Sequence, residues 1–75
     1  MNKKRRQQLQ EWLKKLEILK KELESICSDE EYSFDNMPEG LQSSMNGMNS
    51  EEAIDKMNEA AECIEDAISC VEEIS

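Results

Sequence analysis

Apolar residues recur every seven positions in both halves of the 75-residue chain. In the second half the heptads EAIDKMN, EAAECIE and DAISCVE follow one another from Glu52 to Glu72. Ile54, Ala61 and Ile68 form one series, Met57, Ile64 and Val71 a second, and Ala53, Ala60, Ala67 and Ile74 a third. This spacing puts all three on one side of an α-helix, and that side must be buried against something. In the first half Leu9, Leu16 and Leu23 interlock with Trp12, Leu19 and Ile26 at spacings of three and four, an a/d seam. Leu13 and Cys27 widen the seam at e, and Ile18 points elsewhere. Good helix formers (Gln, Lys and Glu) fill the gaps, and neither Gly nor Pro interrupts Lys3 to Phe34. The pattern predicts one helix over about residues 3–34 and another over about 50–74.

The connector, about residues 35–49, contains the only proline and both glycines. Pro38 disfavours helix at Met37 and ends the first helix. A structureless connector of this length is uncommon in a compact domain. Met37, Leu41, Met45 and Met48 recur at helical spacing, which predicts a short helix after Pro38 that caps the open end. Together with Phe34, these residues also make a candidate adaptable, Met-rich binding surface. Asn49 or Ser50 is the expected N-cap of the second helix, with Glu51 and Glu52 at the positive end of its dipole.

Pairing the helices antiparallel sets each a residue against a d residue. Positions whose numbers add to 80 then match Leu9 with Val71, Trp12 with Ile68 and Leu16 with Ile64. Leu19 with Ala61, Leu23 with Met57 and Ile26 with Ile54 continue the series. All six layers are apolar on both sides, so the expected fold is all-α: a single coiled-coil-like antiparallel helical hairpin over residues 1–75. The apolar arc of the second helix is wider than the seam opposite it. Its surplus, lined by Ala53, Ala60, Cys63, Ala67 and Cys70, is the expected self-association surface of a homodimer with four helices. A chain this short buries a thin core, which also favours a partner subunit.

Charge is divided along the chain. Residues 1–21 contain eight of the nine cations against Glu11 and Glu17, a net +6, and residues 22–75 contain Lys56 against sixteen acids, a net −15. In the hairpin, Lys3, Lys4, Arg5 and Arg6 are expected to face Asp66, Glu72 and Glu73. The second helix carries an acidic ridge: Glu52, Glu59, Asp66 and Glu73 lie on one line, Glu51, Glu65 and Glu72 flank it, and Asp55 and Glu62 lie beside it. Such a face keeps a small protein soluble. It also offers a surface that mimics the phosphate row of a nucleic acid and fits a basic channel.

The chain lacks the residues of common catalytic sites. It has no His, no Gly-rich phosphate loop and no evident base beside a cysteine. Cys63 and Cys70 lie two turns apart on one helix, about 10.5 Å, beyond disulfide reach. The odd cysteine count fits packing residues in a reduced, cytoplasmic protein. Asp35 to Gly40 has an acid and a Gly at EF-hand offsets. Met37 and Pro38 follow where ligands should stand, however, and Asn46 takes the place of the closing Glu, so no metal or cofactor is expected. No aromatic residue is interleaved with the basic head, and the acidic body repels phosphate, which argues against direct nucleic-acid binding. The run MNKKRR is followed by QQLQEW where a secretion signal would be apolar, and no stretch is long and apolar enough to span a bilayer.

The run Phe34-Asp35-Asn36-Met37-Pro38-Glu39-Gly40-Leu41-Gln42 stands between a Lys/Glu-rich helix and Glu-Ala-Ile-Asp heptads. In this arrangement the chain resembles a group of short acidic proteins encoded in phages, prophages and mobile elements of Gram-positive bacteria. The resemblance implies a context rather than an activity. Small acidic proteins from that context include inhibitors of host defence, such as anti-CRISPR proteins. The expected function is therefore non-catalytic protein binding, with a basic, nucleic-acid-binding host enzyme as the sharper expectation for the partner. An assembly or accessory protein using the Ala/Cys face and the Met-rich connector is the alternative. A nucleic-acid accessory factor using the basic N-terminus is a further one.

Overall fold

A computed structural model describes residues 1–75. It contains three helices and no strand: α1 (Lys3–Asp35), α2 (Glu39–Gln42) and α3 (Met45–Glu72). The molecule is a rod of 58 × 15 × 12 Å. The 33 residues of α1 account for about 50 Å of that length at 1.5 Å per residue.

Asn2 caps α1, its side chain accepting a hydrogen bond from the Arg5 amide at 2.9 Å. At the other end the Asn36 side-chain amide donates to the Tyr32 carbonyl at 2.7 Å. Pro38 is extended (φ −57°, ψ 147°) and starts α2, the short helix expected after it. The Gln42 side-chain amide donates to the Phe34 carbonyl at 3.0 Å and to the Met37 carbonyl at 3.2 Å. One side chain thus fastens α2 to the end of α1, adding a second donor at the Phe34 carbonyl beside the Met37 amide.

The last helix begins earlier than its caps suggest. Its N-cap is Ser44, whose hydroxyl accepts from the Gly47 amide at 3.5 Å, and neither Asn49 nor Ser50 caps it. The irregular connector therefore shrinks from about 35–49 to two short breaks around α2. At its far end α3 stops at Glu72, leaving Ile74 outside. The reason for the early start lies in packing. Ser50 is buried, and its hydroxyl donates to the Glu30 carboxylate on α1. A residue engaged across the helix pair belongs inside a helix rather than at its tip. Gly47 is buried as well: a Cβ there would run into the carbonyls of Gln42 and Leu41, so only glycine permits this corner.

The contacts between α1 and α3 run in opposite chain order. Glu30 meets Ser50, Cys27 meets Ile54 and Asn58, and Lys20 meets Glu65. Numbers adding to between 80 and 85 therefore stand level on the two helices. On α3 the inward row is Ile54, Met57, Ala61, Ile64, Ile68 and Val71, the two series read from the heptads, extended back through Ser50 and Gly47.

On α1 the seam is turned by one position. Leu9, Leu16 and Leu23 are half-buried as expected, but their partner row is Leu13, Lys20, Cys27 and Phe34. Trp12, Leu19 and Ile26 remain 42%, 53% and 58% exposed. Both rows lie three or four residues from the leucines, and a heptad count does not choose between them. The row that is used puts polar groups in the seam, and each finds a partner: Lys20 has Glu65 and Cys27 has three nearby oxygens. No buried side-chain nitrogen or oxygen lacks a hydrogen bond. The core is thin. Cys27 and Ile68, 5% and 3% exposed, are the buried apolar side chains.

Candidate functional site

The acidic side chains of α3 and of its C-cap Glu73 form an exposed acidic surface. Glu51, Glu52, Asp55, Glu59, Glu62, Glu65, Asp66, Glu72 and Glu73 are all exposed. At 100° per residue they occupy an arc of roughly 160° facing away from the seam, over a length of about 33 Å. Nine carboxylates over that length are separated by steps of about 1.5 to 9 Å that average about 4.1 Å, a mean charge density near that of one strand of duplex DNA at 3.4 Å per phosphate. Two are engaged within the chain. Glu65 pairs with Lys20 at 2.6 Å and Glu59 with Lys56 at 3.4 Å. Lys20, Glu24, Asn58, Ala61, Glu62 and Glu65 line an open groove where this ridge meets α1.

The basic head is not paired with the end of α3. Residues 3–6 stand level with 74–82, past the last turn of that helix, and no acidic group lies within 4 Å of Lys3, Lys4, Arg5 or Arg6. The expected facing of these cations with Asp66, Glu72 and Glu73 is absent because α1 overhangs α3. The overhang leaves the first turn of α1 exposed.

The reversal of chain direction redistributes the charge. Cutting the rod at the level of residues 21 and 60 leaves residues 22–59 at the connector end, with Lys56 against eleven acids, a net −10. The other end has eight cations against seven acids, a net +1. Sequence order alone suggests a basic end and an acidic end. The folded rod has a nearly neutral end and a strongly negative one.

At the connector, Phe34 and Met37 are half-buried, while Leu41, Met45 and Met48 are exposed. The three exposed residues form a small apolar tip on α2 and the first turn of α3. Of the residues expected for self-association, Ala53 and Ala67 are half-buried and Ala60, Cys63 and Cys70 exposed.

All three cysteines are free thiols. The Cys27 Sγ lies 3.5 Å from the Asn58 side-chain oxygen, 3.7 Å from a Glu31 carboxylate oxygen and 3.9 Å from the Ile54 carbonyl. A thiol has one proton to donate, and every neighbour here accepts. Burial, then the Glu31 charge and hydrogen bond, push the Cys27 pKa above its ordinary value. Lys20 is also shifted upward, chiefly by its hydrogen bond to Glu65 and further by the charges of Glu65, Glu24 and Glu17, against some desolvation. No group of three or more His, Cys, Asp or Glu side chains is placed to hold a metal ion. No helix is long and apolar enough to cross a membrane.

Four features with structural roles escape the heptad reading. They are the Lys20–Glu65 pair, the Glu30–Ser50 hydrogen bond, the Gln42 clamp and the close approach at Gly47. A signal for the first was present, since Lys20 falls in one seven-residue row with Leu13, Cys27 and Phe34. The clamp has no comparable sequence signal. No family model matches the chain, and neither does any curated protein or solved structure.

Proposed function

We propose that this chain is a non-catalytic protein-binding module, an antiparallel helical hairpin acting in the cytoplasm of a bacterial host. In the sharper form of this reading, the acidic ridge of α3 occupies the nucleic-acid channel of a basic enzyme. The chain is then an anti-CRISPR-like inhibitor of host defence encoded by a phage or mobile element. The observation that carries it is the array of nine exposed carboxylates at a mean linear charge density near that of a phosphate strand. Glu52, Asp55, Glu62, Asp66 and Glu73, free of internal partners, are the residues that meet the channel, with Glu59 and Glu65 contributing from their ion pairs.

The test is binding to a protein captured from a bacterial host, measured against salt and against competing DNA or RNA. Phosphate mimicry requires affinity that falls steeply with salt and competition by the nucleic acid. Reversing Glu59, Glu62 and Asp66 to Lys should abolish binding with helicity intact. A captured partner that binds equally well in high salt, or holds the reversed variant, sinks the reading.

The exposed apolar tip supports a second reading, an assembly or accessory protein that docks through Leu41, Met45 and Met48. The overhanging cations supply a third, in which Lys3, Lys4, Arg5 and Arg6 contact nucleic acid directly.

A further inference from the structure

The turned seam leaves an apolar face made by both helices. Trp12, Leu19 and Ile26 stand as a ridge along α1, seven residues apart and exposed. Ala53, Ala60 and Ala67 stand as a furrow along α3, also seven residues apart. Helical geometry puts both rows on the same side of the pair. The opposite side carries Lys20, Glu24, Asn58, Glu62 and Glu65, the polar groove already described. Levels that add to between 80 and 85 set Leu19 beside the gap between Ala60 and Ala67. By the same rule Ile26 stands beside the gap between Ala53 and Ala60, and Trp12 beside that between Ala67 and Ile74.

We propose that this face binds a second copy of the chain, the ridge of each protomer lying in the furrow of the other. The inference rests on the reading of the chain as a protein-binding module but not on the acidic ridge. Two observations call for a partner on this face, and the first of them singles out a second copy. The first is shape. Ridge and furrow share one face, one pitch and one set of levels, so the surface is complementary to itself under a two-fold rotation: Leu19 and Ile26 each meet a gap between alanines, and Trp12 meets the space beyond Ala67. The second is area. A compact monomer of 8.7 kDa exposes about 4,700 Å², whereas this chain exposes 5898 Å². The surplus of about 1,200 Å² belongs to the whole rod, and covering all of it on two chains would bury about 2,400 Å², the scale of an obligate homodimer. The expected self-association surface is thereby moved. Ala53, Ala60 and Ala67 keep their place in it, Cys63 and Cys70 lie at its border, and α1 contributes its larger half.

The test is sedimentation equilibrium of the full chain and three variants, with circular dichroism alongside. The wild type should sediment at twice 8.7 kDa. Leu19→Glu and Ala60→Glu should each raise the dimer dissociation constant by about a hundredfold or more, because each buries an unpaired charge. Ile18→Glu, an exposed site on the far side of α1, should leave it within about threefold. The dimer should tighten as salt rises, since two chains of net charge −9 repel, which is opposite to the behaviour of acidic-ridge binding. If a Glu variant loses helicity, raising its concentration should restore it, because folding and association are then coupled. A wild-type monomer at millimolar concentration overturns the proposal. So does a dimer indifferent to both Glu variants, one weakened equally by Ile18→Glu, or helicity that concentration does not restore. Partner binding through the ridge stands or falls separately, on the triple reversal.

Discussion

The Lys20 ammonium on α1 reaches the Glu65 carboxylate on α3 at 2.6 Å, the one ion pair that joins the two helices. It sits at the border of the apolar seam, in a row otherwise filled by Leu13, Cys27 and Phe34. A lysine is tolerated there because its stem packs with the seam while its head reaches the acidic flank.

This pair gives the molecule a pH dependence of defined sign. Lys20 is shifted above the ordinary lysine value of 10.5, so its stabilising effect is fully present below that value. The effect is lost as pH rises through the shifted value. Between neutral pH and the ordinary lysine range, the urea midpoints of wild type and Lys20→Met should therefore differ by a constant amount. Above it, the wild type should lose ground relative to the variant. A difference that stays flat through strongly alkaline pH would show that Lys20 gains nothing from Glu65.

The thiols should separate by reactivity. Cys27 is buried among acceptors and its pKa is raised, so its thiolate is scarce at neutral pH. Ellman's reagent should modify Cys27 last, at the rate of unfolding, and urea should remove the lag. By the same sign argument, the neutral thiol contributes stability that is lost as pH rises through its shifted value. Rapid modification of Cys27 in the folded protein would contradict its place in the seam.

The two glycines should answer alanine in opposite ways. At Gly47 an added methyl meets the Gln42 and Leu41 carbonyls, and Gly47→Ala should cost about 1–3 kcal/mol. At Gly40 nothing lies within 4 Å, and Gly40→Ala should be neutral or gain up to about 1 kcal/mol by stiffening the unfolded chain. Urea titration of the two variants beside wild type checks both, and equal effects would remove the assigned role of Gly47.

The apolar tip makes a prediction opposed to that of the acidic ridge. If Leu41, Met45 and Met48 bind the partner, replacing all three with Ser should abolish capture while salt has little effect, because apolar burial then supplies the affinity. Capture that survives this change excludes the tip.

What was legible in the sequence is the periodicity of α3. The series Ile54, Ala61, Ile68 and Met57, Ile64, Val71 form its inward row, and Pro38 marks the break after α1. Two things were hidden, for different reasons. Leu9, Leu16 and Leu23 are flanked by a usable row on either side, and apolar content favoured Trp12, Leu19 and Ile26. The partners of Lys20 and Cys27 lie on the other helix, where no count along one helix reveals them. At the start of α3, Asn49, Ser50 and the two glutamates make a plausible local cap. Burial of Ser50 against Glu30 overrode it, a tertiary contact outweighing a local preference. The acidic ridge was legible as a row of residues, but its role was not, because an exposed carboxylate looks the same whether it meets water or a partner.

A rod with −10 at one end and +1 at the other has a sense of direction in an electric field. In dilute salt it turns before it touches anything, presenting the connector end to a cationic surface from beyond contact range. Encounter is thereby biased toward the end where α2 is fastened by Gln42 and where Leu41, Met45 and Met48 are exposed. On any cationic surface met in dilute salt, the first collision is made tip-on.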